Sequence, residues 1–185
     1  YGSCFKNGGI GIAQDYPYFD AEKKMVVTLA LAINDCRKAN GEKPLGWKKG
    51  KIAAINAYMV YTSRGNKINV KVDGDAAKSA YEDGKEYYYS RRGQLNMACA
   101  HCHVDNAGKR IRGNVLSTGL GQVTHFPVYR SKWGGLGTLH RRFGGCNKQV
   151  RAKPAKAQSA TYRNLEYFMS YMSNGLPING PGSRF

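Results

Sequence analysis

Residues 99–103 read Cys-Ala-His-Cys-His, and this short stretch decides how the rest of the chain is interpreted. Two thiols three positions apart lie on one helical turn, where they can add to the two vinyl groups of a single haem. The next residue, His103, then lies under the iron as its proximal ligand. A redox Cys-x-x-Cys pair usually opens a helix in a βαβ context, and a zinc site needs a second ligand pair; the sequence contains neither. The stretch therefore predicts one covalent haem c, held by Cys99, Cys102 and His103.

The residues before this motif predict a helix over 75–92, with Gly84 inside it and Gly93 at its end. A helix that leads into Cys-x-x-Cys-His is the usual start of a cytochrome c domain. Covalent haem attachment is made outside the cytoplasm in bacteria, in a compartment that also permits disulfides. We therefore expect the protein to lie in the periplasm.

Charge is the unusual feature of the composition, because 29 Lys and Arg oppose 12 Asp and Glu and give a formal net charge of +17. Hydrophobic residues make up 42% of the 185 residues, which supports a packed core and excludes a disordered polyelectrolyte. A cationic surplus favours an anionic partner. The basic residues are spread along the chain without a known nucleic-acid-binding motif, so we expect no nucleic acid. The longest apolar stretch, residues 25–33, is too short for a membrane span.

The sequence repeats itself weakly at a constant offset, which is the separation between Cys36 and Cys146. The other matching pairs include Pro17 and Pro127, Met59 and Met169, Tyr61 and Tyr171, Ser63 and Ser173, and Gly65 and Gly175. Each half combines an aromatic-Pro-aromatic loop, a helix ending near a cysteine, and an amphipathic helix, which we predict over 51–62 and 161–172. We therefore expect a mainly α protein of two tandem cytochrome c-like domains, residues 1–74 and 75–185. The first has no histidine and is expected to hold no haem.

The five cysteines divide by role, and their odd number leaves at least one without an intrachain partner. Cys99 and Cys102 are assigned to the haem. In a periplasmic protein we expect Cys4 and Cys36 to form a disulfide, which closes a loop of about thirty residues and contributes on the order of 3 kcal/mol. Cys146 is the cysteine that remains.

Cys146 is our leading candidate for the second axial ligand of the haem iron. Four basic residues flank it in the sequence, namely Arg141, Arg142, Lys148 and Arg151. Cations stabilise a thiolate, which is both a strong iron ligand and the reactive form of cysteine. The preceding Gly144-Gly145 pair lets the backbone approach a bulky group closely. The other candidates for this ligand are Met97, Met169, Met172, His125 and His140.

Four stretches together resemble the SoxA family of bacterial cytochrome subunits. They are G-Q-L-N-M-A-C-A-H-C-H at 93–103, T-G-L-G-Q-V-T-H-F-P-V-Y-R at 118–130, R-R-F-G-G-C-N-K-Q-V-R-A at 141–152 and Y-R-N-L-E-Y-F-M-S-Y-M-S-N-G-L-P-I at 162–178. The first half, with I-N-D-C-R and A-Y-M-V-Y-T-S-R-G, also looks like the N-terminal domain of this family.

The resemblance implies an enzyme, an L-cysteine S-thiosulfotransferase that oxidatively joins thiosulfate to a cysteine of the carrier protein SoxYZ and passes electrons to haem. It implies a heterodimer with a small cytochrome c subunit, SoxX. In the same way it implies that Cys146 is the active-site sulfur and an axial ligand, often as a persulfide, opposite His103. Arg142 would match the active-site arginine that holds the anionic substrate. The single haem motif resembles the family type in which a disulfide, here Cys4–Cys36, replaces a first haem.

Two other functions stay open from the sequence. A thiosulfate dehydrogenase, which joins two thiosulfates into tetrathionate, would use a similar haem but normally a second haem in the same chain. A plain periplasmic electron-transfer cytochrome c would use histidine and methionine as its axial ligands.

Overall fold

The computed structural model describes residues 1–111 and 113–184. The chain is mainly helical, as predicted. Its α-helices are α1 (Leu29–Ala39), α2 (Lys51–Tyr61), α3 (Asp75–Tyr89), α4 (Cys99–His103), α5 (Leu139–Gln149) and α6 (Ala160–Met172). Its short strands are β1 (Tyr18–Asp20), β2 (Met25–Val27), β3 (Arg110–Ile111), β4 (Asn114–Val115), β5 (Val128–Arg130), β6 (Gly135–Gly137) and β7 (Gly182–Arg184). β1 pairs with β2 and β3 with β4, both antiparallel, while β5 lies between antiparallel β6 and parallel β7.

The predicted helices agree with the structure to within a residue or two, except at one end. The helix predicted over 51–62 is α2, and the one predicted over 161–172 is α6. The helix predicted over 75–92 ends earlier, at Tyr89, because the backbone of Ser90 is extended. Arg92 then pairs with Met97 in an isolated antiparallel bridge, which returns the chain to the start of α4.

The repeat offset found in the sequence also relates the elements of the structure. When the offset is added to the residue numbers of β1, β2 and α1, the result is the bounds of β5, β6 and α5, respectively. The capping is repeated as well, since Thr28 before α1 and Thr138 before α5 each accept a hydrogen bond from a backbone N–H of the first turn. Elements of the same kind therefore follow one another in the same order in both halves.

The two halves exchange the same backbone hydrogen bonds in both directions. The Gly65 N–H donates to the Ile178 carbonyl at 2.9 Å, and the Gly175 N–H donates to the Ile68 carbonyl at 2.9 Å. Positions 65 and 175 correspond in the repeat, and so do positions 68 and 178. The halves are thus joined by a reciprocal contact with approximate twofold character.

The capping threonines make a second reciprocal contact between the halves. The Thr28 hydroxyl donates to Oε1 of Gln158 at 3.0 Å, and the Thr138 hydroxyl donates to the Trp47 carbonyl at 3.0 Å. The two acceptors lie in the loops before α6 and α2. Each half therefore uses its cap residue to hold the connector of the other.

α3 and α6 pack closely, and this packing sets the position of the haem motif that follows α3. Gly84 faces α6, where a Cβ would overlap the carbonyl oxygen of Asn164, so only glycine allows this approach. Further along α3, the Tyr88 ring lies 5.4 Å from the Phe168 ring, measured between centroids. The two helices border the core of the second half, where Leu165 of α6 and Phe143 are buried.

Cys4 and Cys36 form a disulfide, as predicted, with their Cα atoms 5.6 Å apart. The three other cysteines, Cys99, Cys102 and Cys146, are free thiols of intermediate exposure. Over residues 1–111 and 113–184, no helix is both long and apolar enough to cross a membrane.

Candidate haem site

The single turn of α4 carries the three predicted haem-attachment residues. Its geometry is fixed by the histidine between the two cysteines. The backbone N–H of Ala98 donates to Nδ1 of His101 at 2.9 Å, and the Asn106 side-chain amide donates to the His101 carbonyl at 2.7 Å. His101 therefore stabilises both ends of the turn, and its ring nitrogen is used by the backbone.

His103 is oriented as an iron ligand needs to be. Its Nδ1 lies 2.8 Å from the Ser117 carbonyl oxygen and donates to it, which leaves Nε2 to face a metal. Burial lowers the pKa of His103, the hydrogen bond to Ser117 opposes this, and the positive charge of Arg142 lowers it further. The imidazole is therefore neutral near pH 7, the form that ligates iron.

The two motif cysteines and Cys146 lie close enough to affect one another electrostatically. Burial raises the pKa of the Cys99 thiol to about 11, against the lowering effect of Arg92, and the charge of Cys146 raises it further. Burial and Cys146 raise the pKa of Cys102 as well, whereas Arg142 lowers it. Residues of α4 and α5, which are distant in the sequence, thus meet at one site.

Cys146 is held near the end of α5 by a network on the residue that follows it. The Asn147 side-chain amide donates to the Tyr162 hydroxyl at 2.9 Å and to the Phe143 carbonyl at 3.0 Å. Its Oδ1 accepts a hydrogen bond from the Tyr87 hydroxyl at 3.0 Å. These contacts tie α5 to α3 and α6, so the cysteine is fixed relative to the haem motif.

The arginines around the site take different positions. The positive charge of Arg142 lowers the pKa of both Cys102 and His103. Arg130 on β5 lies within electrostatic range of the same residues: burial and Arg142 lower its pKa, and the charge of Cys146 opposes them. Arg141 points elsewhere, with its guanidinium 4.3 Å from the centroid of the Trp133 ring.

A buried tyrosine hydroxyl gives an independent test of whether haem fits here. The Tyr88 hydroxyl is buried without a hydrogen-bond partner among the described residues, and a Cβ on Gly119 would overlap it. Burial raises its pKa, and the charges of Cys99 and Cys102 add to the effect. The Tyr88 hydroxyl, which has no partner among the described residues, combines with a neutral imidazole and a free cysteine. This set of groups fits a haem c.

Comparison with known proteins identifies the family of the chain. The family model described as SoxA/TsdA, cytochrome c domain, matches residues 1–68 and 83–178. The chain belongs to this SoxA/TsdA cytochrome c family. The resemblance seen in the sequence is thereby confirmed, and haem c is the cofactor of such a domain.

Similar proteins bear the same family name. The L-cysteine S-thiosulfotransferase subunit SoxA of Chlorobaculum thiosulfatiphilum is 57% identical over 183 residues, and that of Allochromatium vinosum is 53% identical over 186 residues. These alignments cover 99% and 100% of this chain but only 64% and 66% of the relatives, so this chain spans less than two thirds of their length. The crystal structure of SoxXA from P. pantotrophus matches with a TM-score of 0.89 and 36% identity, over 96% of this chain and 67% of that one.

Two of the alternative axial ligands of this SoxA/TsdA chain, the histidines, are engaged elsewhere. His140 is buried, its Nδ1 accepts the Gln158 N–H at 3.0 Å, and its Nε2 lies 3.0 Å from the Glu166 carboxylate. Nε2 of His125 lies 3.2 Å from Nη2 of the Arg184 guanidinium. Both rings are therefore held by other groups.

The three methionines considered as alternative iron ligands lie in the packed core or in the turn that precedes α4. Met169 is buried in the core of the second half, and Met172 packs against the same cluster. Both fall on the apolar face of α6, as its periodicity predicts. The backbone of Met97 pairs with Arg92 immediately before α4.

Sequence reasoning missed two residues of this site. Arg130 lies on a strand of three residues, which is too short to give a periodic signal. Tyr88 belongs to a run of three tyrosines at 87–89, which indicated a helix but not which ring would face the cysteines. Both come near the cysteines only through the packing of elements that are distant in the sequence.

Proposed function

We propose that the chain is the SoxA-type subunit of an L-cysteine S-thiosulfotransferase that joins thiosulfate to a cysteine of the carrier SoxYZ. The convergence of Cys146 and Arg142 with the haem-attachment residues Cys99, Cys102 and His103 carries this proposal. Its organisation is two tandem cytochrome c-like domains, residues 1–74 and 75–185, with one haem c in the second. The disulfide in the first half and the recurrence of elements at the repeat offset support this division.

The proposed roles follow from the chemistry of each side chain. His103 offers a neutral imidazole whose Nδ1 is held by Ser117, so His103 would hold the haem iron as its proximal ligand. Cys146 offers a sulfur atom from α5 that would be the second ligand of the haem iron and the active-site sulfur. Arg142 supplies a fixed positive charge and planar donors, which match the oxygens of a sulfur oxyanion.

The reaction balances as an oxidative coupling. The sulfane sulfur of thiosulfate forms a bond with the carrier cysteine sulfur, and one proton and two electrons are released. Bound haem supplies the acceptor through which these electrons leave. Arg142 holds the dianion so that its negative charge is compensated, and Cys146 brings a sulfur next to the sulfane sulfur.

The proposed partners follow from the same function. A small cytochrome c subunit, SoxX, forms a heterodimer with the chain and receives the electrons. The match to the SoxXA crystal structure supports this partner. Covalent haem and a disulfide in one chain support a periplasmic location.

The replacement Cys146→Ala tests the proposal. We expect haem to stay attached, because Cys99 and Cys102 are unchanged, while thiosulfate-dependent turnover with the carrier is abolished. The attached haem is checked by intact mass and the Soret band, and the loss of thiolate ligation by EPR. If the variant kept its thiosulfate-dependent turnover with the carrier, the proposal would be wrong. Tetrathionate made by the unaltered protein without any carrier would indicate a thiosulfate dehydrogenase instead.

A further inference from the structure

A groove of about 880 Å³ opens on the surface beside the candidate haem site, between the end of α3 and the loop that follows α5. None of the described residues that line it is acidic. Those that the argument uses are Tyr87, Arg92, Arg151, Lys153 and Lys156.

The inner end of this groove reaches the residues around Cys146. The Tyr87 hydroxyl donates to Asn147, the neighbour of Cys146, at 3.0 Å. The Arg92 guanidinium stacks on the Tyr87 ring at 3.7 Å from its centroid, and its Nη1 lies 3.7 Å from the Cys99 sulfur. A chain lying in the groove would therefore end next to the sulfur atoms of the site.

The outer wall carries three exposed positive charges that no carboxylate neutralises. Arg151, Lys153 and Lys156 lie on the loop after α5, and their side chains are exposed. The ion pairs within residues 1–111 and 113–184 involve none of them. Unpaired surface charges of one sign attract an oppositely charged partner and accelerate its encounter.

The segment of the first half that corresponds to 151–156 lacks this charge. The two segments, 41–46 and 151–156, share a Lys-Pro pair at 43–44 and 153–154. Their positions that differ in charge are Gly41 and Arg151, Glu42 and Ala152, and Gly46 and Lys156. Each difference makes the segment beside the haem site more positive, and Glu42 in the first half is paired with Arg37 at 2.9 Å. The positive charge is thus specific to the segment that borders the groove.

We propose that this groove binds an extended acidic segment of the carrier protein while the carrier presents its cysteine to the site. This inference rests on the proposed function and adds a docking surface to it. A groove of this size far exceeds one thiosulfate, whereas charges at 151, 153 and 156 suit an extended chain with several carboxylates.

The test compares two double variants of the haem-loaded protein in complex with its partner. Lys153→Glu with Lys156→Glu reverses the groove charges. Lys43→Glu with Lys48→Glu makes the same change in net charge on exposed residues of the first half, and Lys43 is the repeat equivalent of Lys153. Initial rates are measured against the concentration of reduced carrier protein and, separately, of thiosulfate.

We expect the groove variant to raise the KM for the carrier roughly tenfold, and to lose most of this effect at high ionic strength. Its kcat at saturating carrier and its KM for thiosulfate stay unchanged, and the first-half variant behaves as the unaltered protein. Equal effects of both variants, or a change in the KM for thiosulfate alone, would overturn the docking surface. A shifted Soret band or haem potential would also overturn it, since these cations would then hold the haem propionates.

Direct binding separates this inference from the proposed function. The affinity of the reduced carrier for the resting complex is measured by calorimetry without thiosulfate. Carrier binding that depends on Lys153 and Lys156 without any turnover would reject the function and keep the docking surface. If replacing these lysines changed neither turnover nor carrier affinity, only the docking surface would be rejected.

Discussion

α1 and α5 occupy corresponding places in the two halves, yet only α5 carries a free cysteine. Both helices span eleven residues after a capping threonine, and both have cysteine at the same position, Cys36 and Cys146. In α1 that cysteine is bonded to Cys4, whereas in α5 it lies near the haem-attachment residues. The pairs between the cap and the cysteine that differ include Ala30 and His140, Ala32 and Arg142, and Asn34 and Gly144. The scaffold is the same, and the chemistry lies in the side chains placed upon it.

The halves also differ in charge. Residues 106–185 contain thirteen Lys and Arg but a single acidic residue, Glu166, which lies against His140. The net charge of +17 is therefore concentrated in the half that carries the site. This distribution favours the handling of anions and not a uniform solubilising role.

The largest expected effect comes from making α5 resemble α1 at one position, through Arg142→Ala. We expect kcat/KM for thiosulfate to fall about a hundredfold, because a fixed donor to the oxyanion is lost. Steady-state kinetics at saturating carrier measure this fall. Lys148→Ala, on the exposed face of the same helix, removes the same charge and serves as control. A similar loss in both variants would mean that Arg142 acts only through net charge.

The second prediction concerns the corresponding cysteine of the first half. Replacing Cys4 and Cys36 together by serine opens a loop with a sequence separation of 32 residues. We expect the free energy of unfolding to fall by about 2–4 kcal/mol, measured by denaturant titration. The Soret band and EPR signal should not change, since the bond lies in the half without the motif. Altered haem spectra would show that the two halves are coupled more tightly than the comparison implies.

The smallest expected effect is a pH dependence confined to the second half. Burial, reinforced by the charge of Arg184, lowers the pKa of His125 to about 4. The folded protein therefore binds fewer protons than the unfolded chain, so this stability is present above about pH 6.5 and is lost as the pH falls towards 4. After allowance for partial exposure, the loss is on the order of 2 kcal/mol.

The variant His125→Gln isolates this effect. We expect the difference in unfolding free energy between pH 7 and pH 4.5 to be smaller in the variant than in the unaltered protein. An identical pH dependence in both proteins would contradict the assignment to His125.

The sequence predicted the features that are local or repeated. The haem motif lies within one turn, the repeat offset predicted which helices recur, and the expected periplasmic location predicted the disulfide between Cys4 and Cys36. The pair formed by His140 and Glu166 was not predicted, because it joins two helices whose relative rotation no periodicity specifies. The contact of Tyr87 with Asn147 spans 60 residues and joins α3 to α5, so it depends on how these two helices pack in the folded chain.

The hydrogen bonds that Gly65 and Gly175 donate across the molecule have a consequence for folding. Each of these two hydrogen bonds joins a donor in one half to an acceptor in the other, so both form only when the two halves are folded against each other. A chain cut between residues 69 and 74 would yield two fragments that are incomplete separately and complementary when mixed. We therefore expect the two halves to stabilise each other and to melt in one cooperative transition.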